Sequence, residues 1–315
     1  MRPLLTLISI ATLLGCESPT VAGTSGTATG QLYFLRAASG GPQALYVSSG
    51  VADDARPVVA GPLDFDSRPA VSPDGQWLAW TQVVPATYPA PTEYRLFIRS
   101  RRTGVITQVL GAGEIARYPS WSAGSPRLLV AWRDSYDGEG GVARVLSMAP
   151  DGSARRLELP AGASVGAMPA IAPDGDELAW VVSGPDGSHI ERVNLATNAR
   201  EVLTPDGAPL ADPAWSADGR EIVFASYGGF TSLDEPRRVK IVSRDGVAIQ
   251  ALDLPGLVGR PVFSPDGARV AVCREIPAGA GGAARREVVV WERATGRLDV
   301  LSAPLRSDCF PTWSR

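Results

Sequence analysis

Several residue groups in this 315-residue chain have types and spacings that could carry chemistry. Gly162-Ala163-Ser164-Val165-Gly166 has the G-x-S-x-G spacing of a nucleophilic serine on a strand-to-helix turn. No helix can follow it, because Met168-Pro169 opens a strand-like run almost at once. His189 is the single histidine, so a histidine-rich metal centre cannot be assembled, and no C-x-x-C pair exists. Asp134, Asp137 and Glu139 suggest part of a calcium loop, but the D-x-[DN]-x-[DN]-G order fails. Asp64, Asp66 and Asp212 could form an acidic patch. Gly279-Ala280-Gly281-Gly282 lacks the strand–turn–helix context of a phosphate loop. Catalytic residues, metal ligands and cofactors are therefore expected to be none, and a non-enzymatic protein is expected.

The elements that must position any site come from a repeat. Arg68-Pro69-Ala70-Val71-Ser72-Pro73-Asp74-Gly75 returns as Arg260-Pro261-Val262-Phe263-Ser264-Pro265-Asp266-Gly267. Related copies begin at Tyr118-Pro119, Met168-Pro169, Asp212-Pro213 and Phe310-Pro311. The six prolines are spaced by 50, 50, 44, 48 and 50 residues. A period of this size marks a repeat architecture. Each copy reads as a hairpin: proline at the first residue of a strand, a bulky apolar residue, a Pro-Asp-Gly turn and a returning strand such as Leu78-Ala79-Trp80. Blade two departs, with Ala123-Gly124-Ser125-Pro126 at the turn. Two further strand-like runs follow in each repeat, such as Glu287-Val288-Val289-Val290-Trp291 and Leu298-Asp299-Val300-Leu301. Four short strands per repeat define a propeller blade.

The predicted fold is all-β, a six-bladed β-propeller of four-stranded blades. The last copy supplies one strand, and Gln31–Leu35, Ala44–Val47 and Pro57–Val59 supply three. One C-terminal and three N-terminal strands close the ring and remove the sheet edges. The pattern x-P-x-[W/F/V/I]-S-P-D-G-x-x-[L/I]-A-[W/F] resembles the WD40-like repeats of TolB-type six-bladed propellers, from about Gln31 to the end. That resemblance implies a protein or peptide partner in the cell envelope. TolB carries an additional N-terminal α/β domain, which is not expected here. Related propellers accompany lyases, lactonases and peptidases, so a carbohydrate- or lactone-acting enzyme is one alternative and a purely structural envelope protein another.

The N-terminus reads as an export signal. Arg2 precedes an apolar run to Leu14, too short to span a bilayer. Leu13-Leu14-Gly15-Cys16 resembles a bacterial lipoprotein signal, which implies a signal peptide over 1–15 and lipid attachment at Cys16. Residues 16–30 form a tether of roughly 20 Å, and residues 31–315 form the propeller. The expected location is the envelope, periplasmic or at the outer membrane, as a monomer held to the membrane through Cys16. Net charge is −3 and Lys240 is the only lysine, so no basic face predicts nucleic-acid binding. Cys273 and Cys309 fall on the same face of the ring and are a candidate disulfide in an oxidising compartment, with two separate thiols as the alternative.

The turns between strands one and two, and three and four, are short and share one face. The opposite face takes the longer connections: Val84 to Thr92, Asp134 to Gly141, Tyr227 to Pro236 and Ile276 to Ala284. Binding residues concentrate on such loops. The residues before the repeat prolines, Arg68, Tyr118, Met168, Asp212, Arg260 and Phe310, are expected to ring the channel entrance on that face. Arginine and aromatic residues are favoured in binding hot spots, and these six form the candidate binding rim.

Overall fold

The computed structural model describes residues 30–38, 43–50, 54–60, 69–84, 93–111, 113–122, 126–133, 144–159, 166–205, 207–227, 237–254, 256–277, 285–302 and 306–314. They form six four-stranded antiparallel sheets. Blades one to five occupy residues 70–108, 115–157, 167–202, 210–252 and 257–300. The sixth places Arg306–Trp313 innermost, beside Leu32–Ala38, Gln43–Ser48 and Arg56–Ala60. Closure by one C-terminal and three N-terminal strands is therefore as expected. The outermost strand of each blade is short, two to five residues, which limits the unpaired backbone it exposes.

The core lies between blades, because each sheet is apolar on both faces. Ala179, Val181 and Ile190 of blade three pack on Trp215, Phe224 and Val242 of blade four. On its other face, Trp180 and Val193 of blade three meet Leu129 and Val145 of blade two.

The tight turns are closed by a repeated hydrogen-bond unit. The Ser216 hydroxyl donates to Asp218 at 2.6 Å and accepts the Glu221 N–H at 3.0 Å, while Asp218 accepts the Arg220 N–H at 3.1 Å. Ser264 and Asp266 repeat this in blade five, as do Ser243 and Asp245 between the third and fourth strands of blade four. The Ser216 bond comes first among the influences holding the Asp218 carboxyl below its ordinary range. At Asp266 burial pushes upward, but the bonds from Ser264 and the Ala268 N–H outweigh it. At Asp245 the Ser243 hydroxyl and the Val247 N–H act together downward.

This tight-turn face is also knit across blades. Arg293 of blade five makes a two-pronged ion pair with Glu221 of blade four, at 2.7 and 2.9 Å, and lies over Phe263. Arg244 of blade four reaches Glu177 and Asp174 of blade three at 2.9 and 3.2 Å. Arg101 of blade one donates to Gln31 at the start of the closing blade, at 2.8 Å. In each case the arginine follows the third strand of one blade and grips the start of the second strand in the blade before it.

The turns predict an acid response. A carboxyl whose folded pKa lies below its unfolded value stabilises the fold above the ordinary range near pH ~4, and that contribution is lost as pH falls through the folded value. The melting temperature should hold down to about pH 5 and then drop. A Ser216→Ala, Ser243→Ala, Ser264→Ala variant should melt lower at neutral pH and show a shallower acid drop by calorimetry. Parallel curves for the two proteins would refute the assignment.

Candidate functional site

The repeat prolines do not begin their strands, as the sequence pattern had suggested. In blades two to six the inner strand starts earlier, at Ile115, Ala167, Leu210, Leu257 and Arg306. The proline sits instead at a β-bulge. Register breaks between Arg117 and Ser120, Ala167 and Ala170, Ala211 and Ala214, and Gly259 and Val262. The closing blade breaks between Cys309 and Thr312. The bulge frees the proline nitrogen from the ladder, so the ring costs no hydrogen bond there.

The residue before each of these prolines adopts left-handed backbone: Tyr118 at φ 56°, Met168 at 55°, Asp212 at 57°, Arg260 at 52° and Phe310 at 58°. None is glycine, so each costs about 1–3 kcal/mol, recovered from the packing that holds it. A bulge re-aims its side chain, and here five of them converge. Tyr118, Met168, Asp212, Arg260 and Phe310 line a cavity of about 320 Å³ at the channel entrance. Arg68, the sixth rim residue expected, lies outside the described residues.

Leu210, Ala211 and Tyr227 also line this mouth, and rim spacing did not identify them. Tyr227 follows the second strand of blade four, and its N–H donates to the Pro209 carbonyl at 2.8 Å. Its signal in sequence was its place at the head of a long connection.

The mouth is aromatic, and arginines stack on its rings. The Arg260 guanidinium lies 4.1 Å from the Phe310 ring centre, and Arg237 lies 5.0 Å from that of Tyr227. Arg117 lies between Tyr94 and Tyr118, at 4.9 and 5.2 Å. Such contacts hold the guanidinium planes against the rings. Asp212 is buried, and its backbone N–H approaches the Met168 sulfur at 3.3 Å.

Along the channel a further cavity of about 180 Å³ is walled by Pro69, Pro119, Pro169, Pro213, Pro261 and Pro311. Tryptophans of alternate blades latch the inner strands. Trp121 donates to the Ala70 carbonyl at 3.0 Å and Trp215 to that of Ala170 at 3.1 Å. Trp313 occupies the same repeat position, but its indole N–H is buried without a hydrogen-bond partner among the described residues.

Cys273 and Cys309 form a disulfide with Cα atoms 5.0 Å apart. It joins the second strand of blade five to the closing strand. Arg260 Nη1 lies 3.8 Å from Cys309 Sγ, and Phe310 follows directly in sequence, so the bond underlies one sector of the rim.

The other candidates fall elsewhere. His189, on the third strand of blade three, has Nε2 3.4 Å from Glu191 Oε1, and Glu191 also accepts from Trp180 Nε1 at 3.0 Å. Among the described residues no three His, Cys, Asp or Glu side chains group as metal ligands. Cys16, Asp64, Asp66, Asp134, Asp137, Glu139, Ser164 and Gly279 to Gly282 lie outside the described residues. So does most of the four long connections. No helix among the described residues is long and apolar enough to cross a membrane.

No protein-family model matches the chain, and no curated protein matches its sequence. Solved structures do. TolB from Acinetobacter baumannii is 17% identical, over 92% of this chain and 67% of that one, with a TM-score of 0.72. The putative TolB from Agrobacterium tumefaciens is 15% identical, over 91% and 99%, at 0.61. An oligogalacturonate lyase from Vibrio parahaemolyticus is 12% identical, over 82% and 71%, at 0.53. These likenesses establish the fold, a six-bladed propeller of the kind seen in TolB structures.

Two stability measurements test the site's construction. Met168→Gly should be about 1 kcal/mol more stable than Met168→Ala in urea unfolding, reversing the usual order, because only glycine relaxes at positive φ. The Cys273→Ala, Cys309→Ala variant frees a closure spanning 36 residues and should lose about 2–4 kcal/mol. A loss under about 0.5 kcal/mol, within the range of neutral surface changes, would remove the bond from the closure argument.

Proposed function

We propose that this protein is a non-enzymatic cell-envelope binding module whose channel mouth engages a protein or peptide. The observation that carries this is the convergence of five strained, non-glycine side chains on one cavity. Strain repeated at one place in each of five blades is kept for what those side chains present, since glycine would build the same bulge without it. Aromatic and arginine side chains on a rigid rim are suited to desolvating and orienting a peptide. The opposite face is occupied by turn units and inter-blade ion pairs, which leaves the mouth face for recognition. The likeness to TolB structures supports an envelope location, and the lipoprotein-like Leu13-Leu14-Gly15-Cys16 supports a lipid anchor at Cys16.

The lyase likeness gives the enzymatic alternative its one specific support. It predicts unsaturated product, seen as ultraviolet absorbance, when the protein meets oligogalacturonate with manganese, the metal present in a solved oligogalacturonate lyase. The binding reading predicts none.

Crosslinking and affinity capture from native membranes tests the proposal directly. Wild type should capture a partner that Tyr118→Ala, Arg260→Glu loses by at least about tenfold, a 1.4 kcal/mol effect, while the two proteins melt alike. Equal capture by both would remove the mouth from recognition.

A further inference from the structure

The outermost strand of each blade has one side of its backbone unpaired, and four of the six are guarded. Arg56 and Pro57 stand in the outermost strand of the closing blade, Arg156 in that of blade two, Arg200 and Glu201 in that of blade three, and Asp299 in that of blade five. Charges and prolines on an edge keep further strands from adding to it. The edges of blades one and four have neither: Gly104 to Gly113 and Gly246 to Leu252 contain no charged residue and no proline. They hold aliphatic side chains in the open instead, Val105, Ile106, Val247 and Ile249, with Val247 83% exposed.

Blade four's edge, Ile249–Leu252, is the longer of the two. The Ser243 N–H donates to the Ala248 carbonyl at 2.9 Å, and Gln250 lies opposite Ile241, so Ala248 and Gln250 turn their backbone groups toward the third strand. By the alternation of an antiparallel ladder, the N–H and C=O of Ile249 and Ala251 point away from the blade. Both residues are exposed. Ile249 pairs with Val242 just as Arg200 pairs with Val193 in blade three, so it stands where that blade places a guarding arginine.

Ile249 also forms one wall of a groove of about 120 Å³ at the seam with blade three, shared with Pro205, Ala208, Leu210 and Phe224. A strand added beside Ile249 carries every second side chain onto one face, and an aliphatic one on the seam side extends this groove. A second copy of the ring fits the edge poorly. Two convex walls meeting along four residues bury far less than the roughly 1,000 Å² of a stable interface. An extended segment follows the edge without that limit.

We propose that the outer edge of blade four takes an extended, uncharged, β-branched segment of a partner protein as a fifth strand. Backbone hydrogen bonds to Ile249 and Ala251 supply affinity, and an aliphatic side chain beside Ile249 supplies selectivity. Asp245 and Asp253 flank the edge, so basic residues at the two ends of the segment complete the match. The site stands whatever the mouth binds.

Amide hydrogen exchange of the full chain, read residue by residue by NMR, tests this with the peptide acetyl-Lys-Val-Thr-Val-Thr-Val-Lys-amide. At about 1 mM it should slow exchange at Ile249 and Ala251 at least about fivefold, which needs a Kd of about 0.25 mM or tighter. The outward amides of Arg200 and Leu298 should not change. The same peptide N-methylated at its five central residues should protect nothing. Ala251→Pro removes one outward N–H at an edge position that tolerates proline, and Ile249→Arg restores the guard used in blade three. Each should cut the protection left at the other position to under about twofold, a near-complete loss of binding. Ile249→Arg decides the matter alone if the proline lowers the melting temperature. The proposal is overturned if the first peptide fails to reach fivefold, if the N-methylated peptide protects equally, if Ile249→Arg leaves protection unchanged, or if Arg200 and Leu298 slow as much. Slowing that follows protein concentration without peptide would give the edge to a second copy and overturn it too.

Discussion

Closure of the ring is the constraint on which the rest of this structure depends. An open stack of six sheets would leave one blade's faces exposed and its inner strand unpaired. The strand Arg306–Trp313 prevents this by pairing with Leu32–Ala38, across nearly the whole length of the chain. The joint it makes with blade five is held differently from those between blades one and two and between blades three and four. Trp121 and Trp215 latch their neighbours through carbonyls, but Trp313 makes no such bond. A disulfide bridges that joint, from Cys273 to Cys309. Next to it, Asp308 is fully buried and takes a two-pronged ion pair from Arg36, at 2.7 and 2.8 Å, within the closing blade. The Arg36 guanidinium in turn lies over Phe34 and Tyr46. Breaking one partner of such a buried pair would leave an uncompensated charge, so the closing strand is fixed by both a covalent and an electrostatic tie.

Closure also divides the two faces. On the tight-turn side, serine–aspartate units and inter-blade arginines use the polar groups to fix one blade against the next. On the other side the inner strands of blades two to six bulge, and the bulge sends the residue before the proline into the mouth. Rigidity on one face and presentation on the other follow from the same antiparallel hairpin, read from its two ends.

Some of the site could be read from the sequence alone. The rim positions followed from the repeat, because a residue before proline at a fixed place in each blade must occupy equivalent positions around the ring. Their conformation could not be read. A residue before proline ordinarily prefers extended backbone, and the left-handed values at Tyr118, Met168, Asp212, Arg260 and Phe310 exist only because a bulge accommodates them. Leu210 and Tyr227 escaped the rim reading because they come from outside the repeated octapeptide and reach the mouth through packing.

The sequence by itself determined the number of blades, the four-strand unit, the turn chemistry and the parity that leaves one strand to close the ring. Each of these rests on interactions within a few residues: hairpin turns, alternation of apolar side chains and a period near 50. The tertiary structure alone decided which arginine grips which blade and that Cys273 and Cys309 are bonded. Those outcomes depend on side chains 36 to 72 residues apart meeting across blade seams. No local pattern encodes a distance of that kind, because blade twist and side-chain packing set it together.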